Sequence, residues 1–284
     1  MTKSEQEMNH KRIWSTLVAW LLLSSFLIAP SKSQQIELTP DQVAARKQLQ
    51  AGVLAFRDQH IEAAIESFKN AKSLDPDLLN AQLYLATSYS ALYIPGDQTA
   101  ENIRNGEQAL QEFKAILAKR PDNLSALDGA GSILYNAAGN PFDAEKMEES
   151  KSFHNKHILL KPDDPEPYYW VGVIDWSLAY RGNRAMRETN RVAYRDPMPT
   201  RLAEQFGKRY GDIVEDGMTN LRRAIDLRPN YGDAMAYLNL LYRQKADMQT
   251  DPIARADNIK IADDLVDQAK AAMAKNAEAA TAPK

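Results

Sequence analysis

The chain of 284 residues contains no cysteine and only 12 glycines. Without cysteine there can be no disulfide, no thiolate metal site, no cysteine nucleophile and no lipid anchor on an N-terminal cysteine. The scarcity of glycine excludes collagen-like and glycine-rich linker sequence. Also missing are strand-like runs of β-branched residues and any Gly-x-Ser-x-Gly, His-Glu-x-x-His or Gly-x4-Gly-Lys-Ser/Thr motif. Gly129, Gly131 and Gly139 lie close together but follow no strand-like segment, which removes a dinucleotide fingerprint. Alanine, leucine, glutamate, lysine, glutamine and arginine dominate instead, and these residues lose little side-chain freedom in a helix.

Long apolar runs are also scarce. One stretch of 17 uncharged, mostly apolar residues, Ile13–Ala29, follows Lys3, Lys11 and Arg12 and precedes Pro30 and the small residues Ser31 and Ser33. A basic start, an apolar middle and small residues at a cleavage point describe an export signal, predicted over residues 1–33 with cleavage before Gln34 or two residues earlier. The competing expectation is an uncleaved anchor with membrane attachment through residues 13–29, although spanning a bilayer takes about 20 residues. Both place the protein outside the cytoplasm, in a periplasmic or extracellular space. Beyond residue 33 the chain holds 31 basic and 36 acidic residues, a net of −5, which gives no general attraction for nucleic acid or anionic lipid.

The rest of the chain repeats. Four similar segments, at Ser73–Asp77, Ala118–Asp122, Leu159–Asp163 and Asp226–Asn230, each run a helix-like stretch into a proline followed by Asp or Asn. A proline drives the residue before it out of the helical region, so each marks a helix stop, and the Asp or Asn suits the turn into the next helix. At 12, 8 and 5 residues before Pro76 stand Ala64, Phe68 and Ala71. The same offsets before Pro121 hold Ala109, Phe113 and Ile116, and before Pro229 they hold Gly217, Leu221 and Ala224. Such offsets set small and large apolar residues on one helical stripe, where a small residue admits a neighbouring helix and a large one fills the groove between helices. A companion pattern of small residues recurs upstream at Gly52, Ala86, Gly131 and Gly172.

These residues resemble the tetratricopeptide repeat, whose signature is a large-small-aromatic pattern on a first helix and Ala, aromatic and Pro on a second. The resemblance covers about residues 45–275 and implies an all-α solenoid of antiparallel helix pairs wound into a right-handed superhelix. Units are expected near 45–78, 79–123, 124–164, 165–231 and 232–275, within a domain of 34–276, followed by a disordered tail at 277–284. The third unit departs from the pattern, with Ser150 and His154 where Ala and an aromatic are expected. The resemblance also implies that first-helix residues line a peptide-binding groove: Tyr84, Thr87, Tyr135, Tyr169, Val173, Trp176 and Arg243. The lysine and asparagine pattern with which some members clamp a C-terminal carboxylate is absent, since Leu49, Val53 and Leu83 occupy the matching positions.

The landmark prolines lie 45, 41 and 67 residues apart, so extra residues fall between the two helices of a unit. The largest insert, in 181–215, is basic, with eight Lys or Arg against three acidic residues over 181–210. Arg181, Arg184, Arg187, Arg191 and Arg195 are spaced 3, 3, 4 and 4 and would form one stripe on a helix ended by Pro197 and Pro199, with a second short helix over Ala203–Tyr210. A guanidinium stripe can hold an acidic peptide, a phosphate-bearing polymer or an acidic head group, while an ordinary charged face is solvated or paired within the chain.

Catalysis has little to draw on. His154 and His157, one helical turn apart, could contribute to a metal site only with a third ligand such as Glu149 or Asp143. No metal and no cofactor is expected. The sequence therefore predicts an exported, non-catalytic scaffold that binds a protein or peptide, with a membrane-anchored subunit of an envelope-assembly or secretion complex as the alternative.

Overall fold

The computed structural model describes residues 37–281. The apolar stretch 13–29, and with it the export and anchor expectations, lies outside the described residues. No helix among those described is long and apolar enough to cross a membrane. The described residues form ten helices and no strand, and they divide into two compact units that meet in sequence at Tyr93 and Ile94.

The first unit holds α1 (Pro40–Arg57), α2 (Ile61–Leu74) and α3 (Leu79–Leu92). Thr39 caps α1 reciprocally with Gln42, each side chain accepting from the other's backbone N–H, and Pro40 starts the helix where no amide is needed. The turn into α2 passes through Gln59 in the left-handed region, at φ 65. Two residues before Pro76 α2 ends. The packing follows the small-large rule read from the sequence. A Cβ at Gly52 would stand 2.4 Å from the Phe68 ring, so the absence of a side chain on α1 is what lets Phe68 of α2 seat fully. Phe56, Ile65 and Leu85 complete this core, with Tyr84 stacked on Phe68 at 5.3 Å.

The second unit holds α4 (Ala100–Lys119), α5 (Leu124–Ala137), α6 (Ala144–Leu160), α7 (Pro165–Asn190), α8 (Thr200–Leu227), α9 (Gly232–Asp247) and α10 (Pro252–Thr281). Thr99, Asn123, Asp143 and Asp164 cap the starts of α4 to α7 with side-chain oxygens. Pro121, Pro162 and Pro229 each follow a helix end by two residues. Each helix packs on the next in sequence, and α7 also packs on α9. The packing rule recurs: Gly131 of α5 faces His154 of α6, and Gly172 of α7 faces Leu221 of α8. Gly129 receives Phe113 in the same way. All-α architecture built of sequential antiparallel helix pairs is thus seen in both units.

Two segments differ from expectation. The large insert is not a loop with a short helix of its own: α7 runs for 26 residues and α8 for 28, so most of the insert is extra helical turns on both members of one pair. Alanine-rich 277–281 is not a frayed tail but the last turns of α10, as alanine's high helix propensity favours.

Candidate interaction surface

Of the residues expected to line a groove, several are occupied internally. Thr87 is buried in the first unit, its hydroxyl donating to the Leu83 carbonyl at 2.8 Å. Tyr84 is half-buried against Phe68 in the same core. In the second unit Val173 is 1% and Tyr169 6% exposed. Tyr231 and Tyr237 lie over Tyr169 at 5.1 and 5.8 Å between ring centroids, which is why an aromatic on a first helix did not remain open. Burial pushes the Tyr169 hydroxyl well above its ordinary range. Thr87, Val173 and Tyr169 are therefore buried in the packing of their units. Arg243 is partly exposed and tied to Asn239 and Asp263 at 3.1 and 2.6 Å.

The remaining expected residues, Tyr135 and Trp176, belong to an aromatic band on α5, α7 and α9 whose two halves meet through the buried Tyr169. Trp176 stacks on Tyr180 at 5.2 Å and meets the Tyr237 ring edge-on at 5.2 Å. Tyr135 meets Trp170 edge-on at 5.5 Å and shares a hydrogen bond of 3.3 Å with Ser177. Each of these five rings is partly exposed. The indole N–H of Trp176 is buried without a hydrogen-bond partner among the described residues, an uncommon state for such a donor. Trp170 stacks in turn on His154 at 5.9 Å.

The five arginines do not form one stripe. Arg181 lies over the Phe142 ring at 5.2 Å and donates to the Gly139 carbonyl, holding the turn between α5 and α6. Arg184 pairs with Glu188 at 2.6 Å. Arg187 is 3% exposed, and its guanidinium reaches Asp247 at 2.7 Å, Asn183 at 2.8 Å and the carbonyls of Ala193 and Asp196 at 2.8 and 3.0 Å. A guanidinium saturated in this way is a structural clamp and cannot serve an external anion. Arg191 caps α7 at φ 56, and Arg195 lies in the following loop, off the helix that the spacing predicted. Both are exposed and make no ion pair among the described residues.

The clamp brings two regions together that the sequence kept apart. By holding the loop after α7, Arg187 places Tyr194, 63% exposed, beside Tyr180 and close to Arg243. Burial raises the Tyr194 hydroxyl, with Tyr180 and Asp247 adding and Arg187 and Arg243 opposing. Tyr180, stacked on Trp176, and Tyr194 line one hollow, which brings the aromatic band up to the basic insert. Tyr180 was legible as the residue one turn beyond Trp176. Tyr194 was not, because its position depends on a contact 60 residues apart in sequence, Arg187 with Asp247.

Neither histidine meets the ligands suggested for it. His157 Nδ1 lies 2.7 Å from Asp128 Oδ1, and His154 Nδ1 lies 3.8 Å from the same oxygen. Burial pushes the Asp128 carboxyl up, but the two histidines outweigh it and hold it below its usual value. Glu149 instead pairs with Lys114, and Asp143 caps α6. Among the described residues no group of three candidate ligands could hold a metal ion. Another charged cluster joins three helices: Lys151 of α6 lies 2.6 Å from the buried Asp175 of α7 and 2.8 Å from the exposed Asp216 of α8. Asp175 is wholly buried, and burial pushes its carboxyl up to about 8 against the pull of Lys151. None of these perturbed groups lines either of the two shallow hollows beside α7, of which the one at the end of α7 is rich in tyrosine and arginine.

No family model and no curated protein sequence matches the chain. Among solved structures, MamA protein is similar over 85% of this chain and 98% of its own, with a TM-score of 0.55 and 14% identity. MamA from Desulfovibrio magneticus RS-1, from residue 41 to its end, is similar over 81% and 97%, with a TM-score of 0.52 and 13% identity. YrrB, described as a TPR protein with an unusual peptide-binding site, is similar over 84% and 98%, with a TM-score of 0.50 and 12% identity. At such identities the likeness shows the fold: the chain has the tetratricopeptide-repeat architecture that its repeats resemble.

Proposed function

We propose that the protein is a non-catalytic scaffold that holds another protein through an extended segment laid along the aromatic band of its second unit. The observation that carries this reading is the run of partly exposed rings Tyr135, Trp170, Trp176, Tyr180 and Tyr237, continued by the exposed Tyr194. Aromatic side chains give large contact area at low entropic cost and dominate protein-binding surfaces. The peptide-binding site by which YrrB is described supports the same use of the fold. We extend the proposal to export, on the strength of the apolar stretch 13–29 behind its basic start.

A photo-crosslinking residue in place of Tyr180 tests the first part, with one in place of the exposed Leu159 as control. The expected result is a discrete adduct from position 180 alone, lost when Tyr194 becomes Ala. The same adducts from both positions would overturn it. For the second part, the N-terminus of protein from membrane and soluble fractions is sequenced. A start at Gln34 supports export with cleavage, an intact N-terminus confined to the membrane supports the anchor, and an intact N-terminus in the cytoplasmic fraction overturns both.

A further inference from the structure

At the end of α7 the chain builds a hollow of about 500 Å³ lined by Tyr180, Arg184, Arg187, Arg191 and Tyr194, with Glu188 at its side. Its charges are not equivalent. Arg184 is engaged by Glu188 and Arg187 by Asp247, whereas Arg191 has no ion-pair partner among the described residues. The hollow thus offers one uncommitted guanidinium in a lining that also holds two phenol rings. Tyr194 stands on a loop pinned by the two carbonyl hydrogen bonds of Arg187, so its exposed ring is displayed on a fixed support.

Arg191 is also the wrong residue for its backbone. At φ 56 it takes the left-handed position that ends a helix, where glycine is normal because a Cβ is disfavoured there.

We propose that this hollow is a subsite for a peptide segment that carries an aromatic side chain next to a carboxylate, the ring lying against Tyr180 and Tyr194 and the carboxylate on Arg191. The proposal rests on the scaffold reading and specifies what one end of the band recognises. A single free guanidinium matches a monoanion. The Arg184–Glu188 pair adds no net positive charge for a phosphate dianion or a polyanion, and the aromatic walls give such ligands nothing to contact. Arg195, Arg201 and Lys208 are exposed, without ion pairs among the described residues, and add attraction at longer range, so association weakens as salt rises.

The test uses the full chain and a fluorescein-labelled probe peptide containing Glu-Phe-Glu between Gly-Ser spacers, with one counterpart carrying Gln for both Glu and another carrying Ala for Phe. Fluorescence anisotropy should show the acidic aromatic peptide binding at least about tenfold more tightly than either counterpart, the range a charge-assisted pair supplies. Arg191→Gly should remove this preference while leaving the thermal midpoint unchanged or higher, because glycine relieves the left-handed backbone. Equal binding of the Gln peptide, or retention of the preference in Arg191→Gly, overturns the proposal. So does stronger competition by pyrophosphate or by anionic vesicles than by unlabelled peptide, which would make the hollow a phosphate or membrane site. If the unaltered chain shows no peptide preference while position 180 still crosslinks a partner, the subsite falls and the scaffold reading stands. Peptide preference with no crosslinked protein removes the scaffold reading and leaves the subsite.

Discussion

The first helix pair, α1 with α2, and the fourth, α7 with α8, obey one packing rule and use it differently. In each, a glycine on the first helix receives a large side chain from the second: Gly52 takes Phe68, and Gly172 takes Leu221. The first pair stops there, with 18 and 14 residues and an apolar core of Phe56, Ile65, Phe68 and Leu85. The fourth continues to 26 and 28 residues, and its extension is held by different means. Gly182 receives Tyr210, a small cluster forms around Leu202 and Phe206, and Arg187 joins Asp247 of the next pair. A repeat thus supplies its own stability with an apolar keystone, while an added segment is anchored to the stack by a charged one. Apolar burial is indifferent to direction, whereas a guanidinium with four bonded partners fixes one orientation of the loop that carries Tyr194.

That contrast is broken most severely by removing the keystones. Phe68→Ala should cost about 3–5 kcal/mol, since the ring is fully buried between Gly52 and the stacked Tyr84. Arg187→Met should cost roughly 3–5 kcal/mol as well, but for another reason: it leaves the Asp247 carboxylate largely buried without its partner. Adding Asp247→Leu to Arg187→Met should restore most of the loss, since apolar replacements for a buried ion pair are often neutral. Denaturant unfolding measures all three. Recovery is expected to be confined to stability, because Tyr194 loses the clamp and crosslinking from position 180 should stay low in the double variant. No recovery would mean that the guanidinium's carbonyl bonds, not the ion pair, carry the energy.

A second contrast concerns charge sealed between helices. The first pair buries no ionisable group, whereas the fourth buries Asp175 beside Lys151 and Asp216. Burial raises the Asp175 carboxyl to about 8, while an unfolded aspartate titrates near its ordinary value of about 3.9. Between these values the folded chain holds a proton that the unfolded chain has lost. This group's contribution is therefore fully present below pH 4 and declines as pH rises through about 8. Asp175→Asn should flatten the fall in stability between pH 5 and pH 9, seen as a smaller change in denaturant midpoint across that window. An unchanged slope would assign the dependence to other groups.

The sequence spoke clearly where one residue's role depends on its near neighbours in the chain. The helix stops came from Pro76, Pro121, Pro162 and Pro229 because a proline acts on the residue before it, and the glycine seats came from spacing on a single helix. His154 looked like a departure from the pattern, yet it occupies the seat on Gly131 that an aromatic would fill, stacked on Trp170. Where a role depends on distant partners, spacing misled. Arg187 sat in an apparent stripe of five, but Asp247, 60 residues on, turned it inward. Val173 and Tyr169 sat at groove-facing positions, but α9 brought Tyr231 and Tyr237 over them. The aromatic band was half legible, through Tyr135 and Trp176. Its continuation into the insert required the fold of the loop.

The finest way to sharpen the comparison lies within the extension, at two glycines whose surroundings differ. A Cβ at Gly182 would stand 2.1 Å from the Tyr210 ring, so this glycine repeats in the extension the seating role of Gly52 and Gly172. Gly211 lies in the interior of α8 with nothing within 4 Å of its Cβ position. Gly182→Ala should therefore destabilise, by about 1–3 kcal/mol if Tyr210 is forced off its rotamer. Gly211→Ala should stabilise by about 0.5–1 kcal/mol, because alanine restricts the unfolded chain and meets no obstacle in the helix. Opposite signs from one chemical change, read as shifts in thermal midpoint, would show that the extension is seated by the same rule as the repeats. If both variants stabilise, Tyr210 swings aside freely, and the extension is held by the Arg187 clamp and the cluster around Phe206 alone.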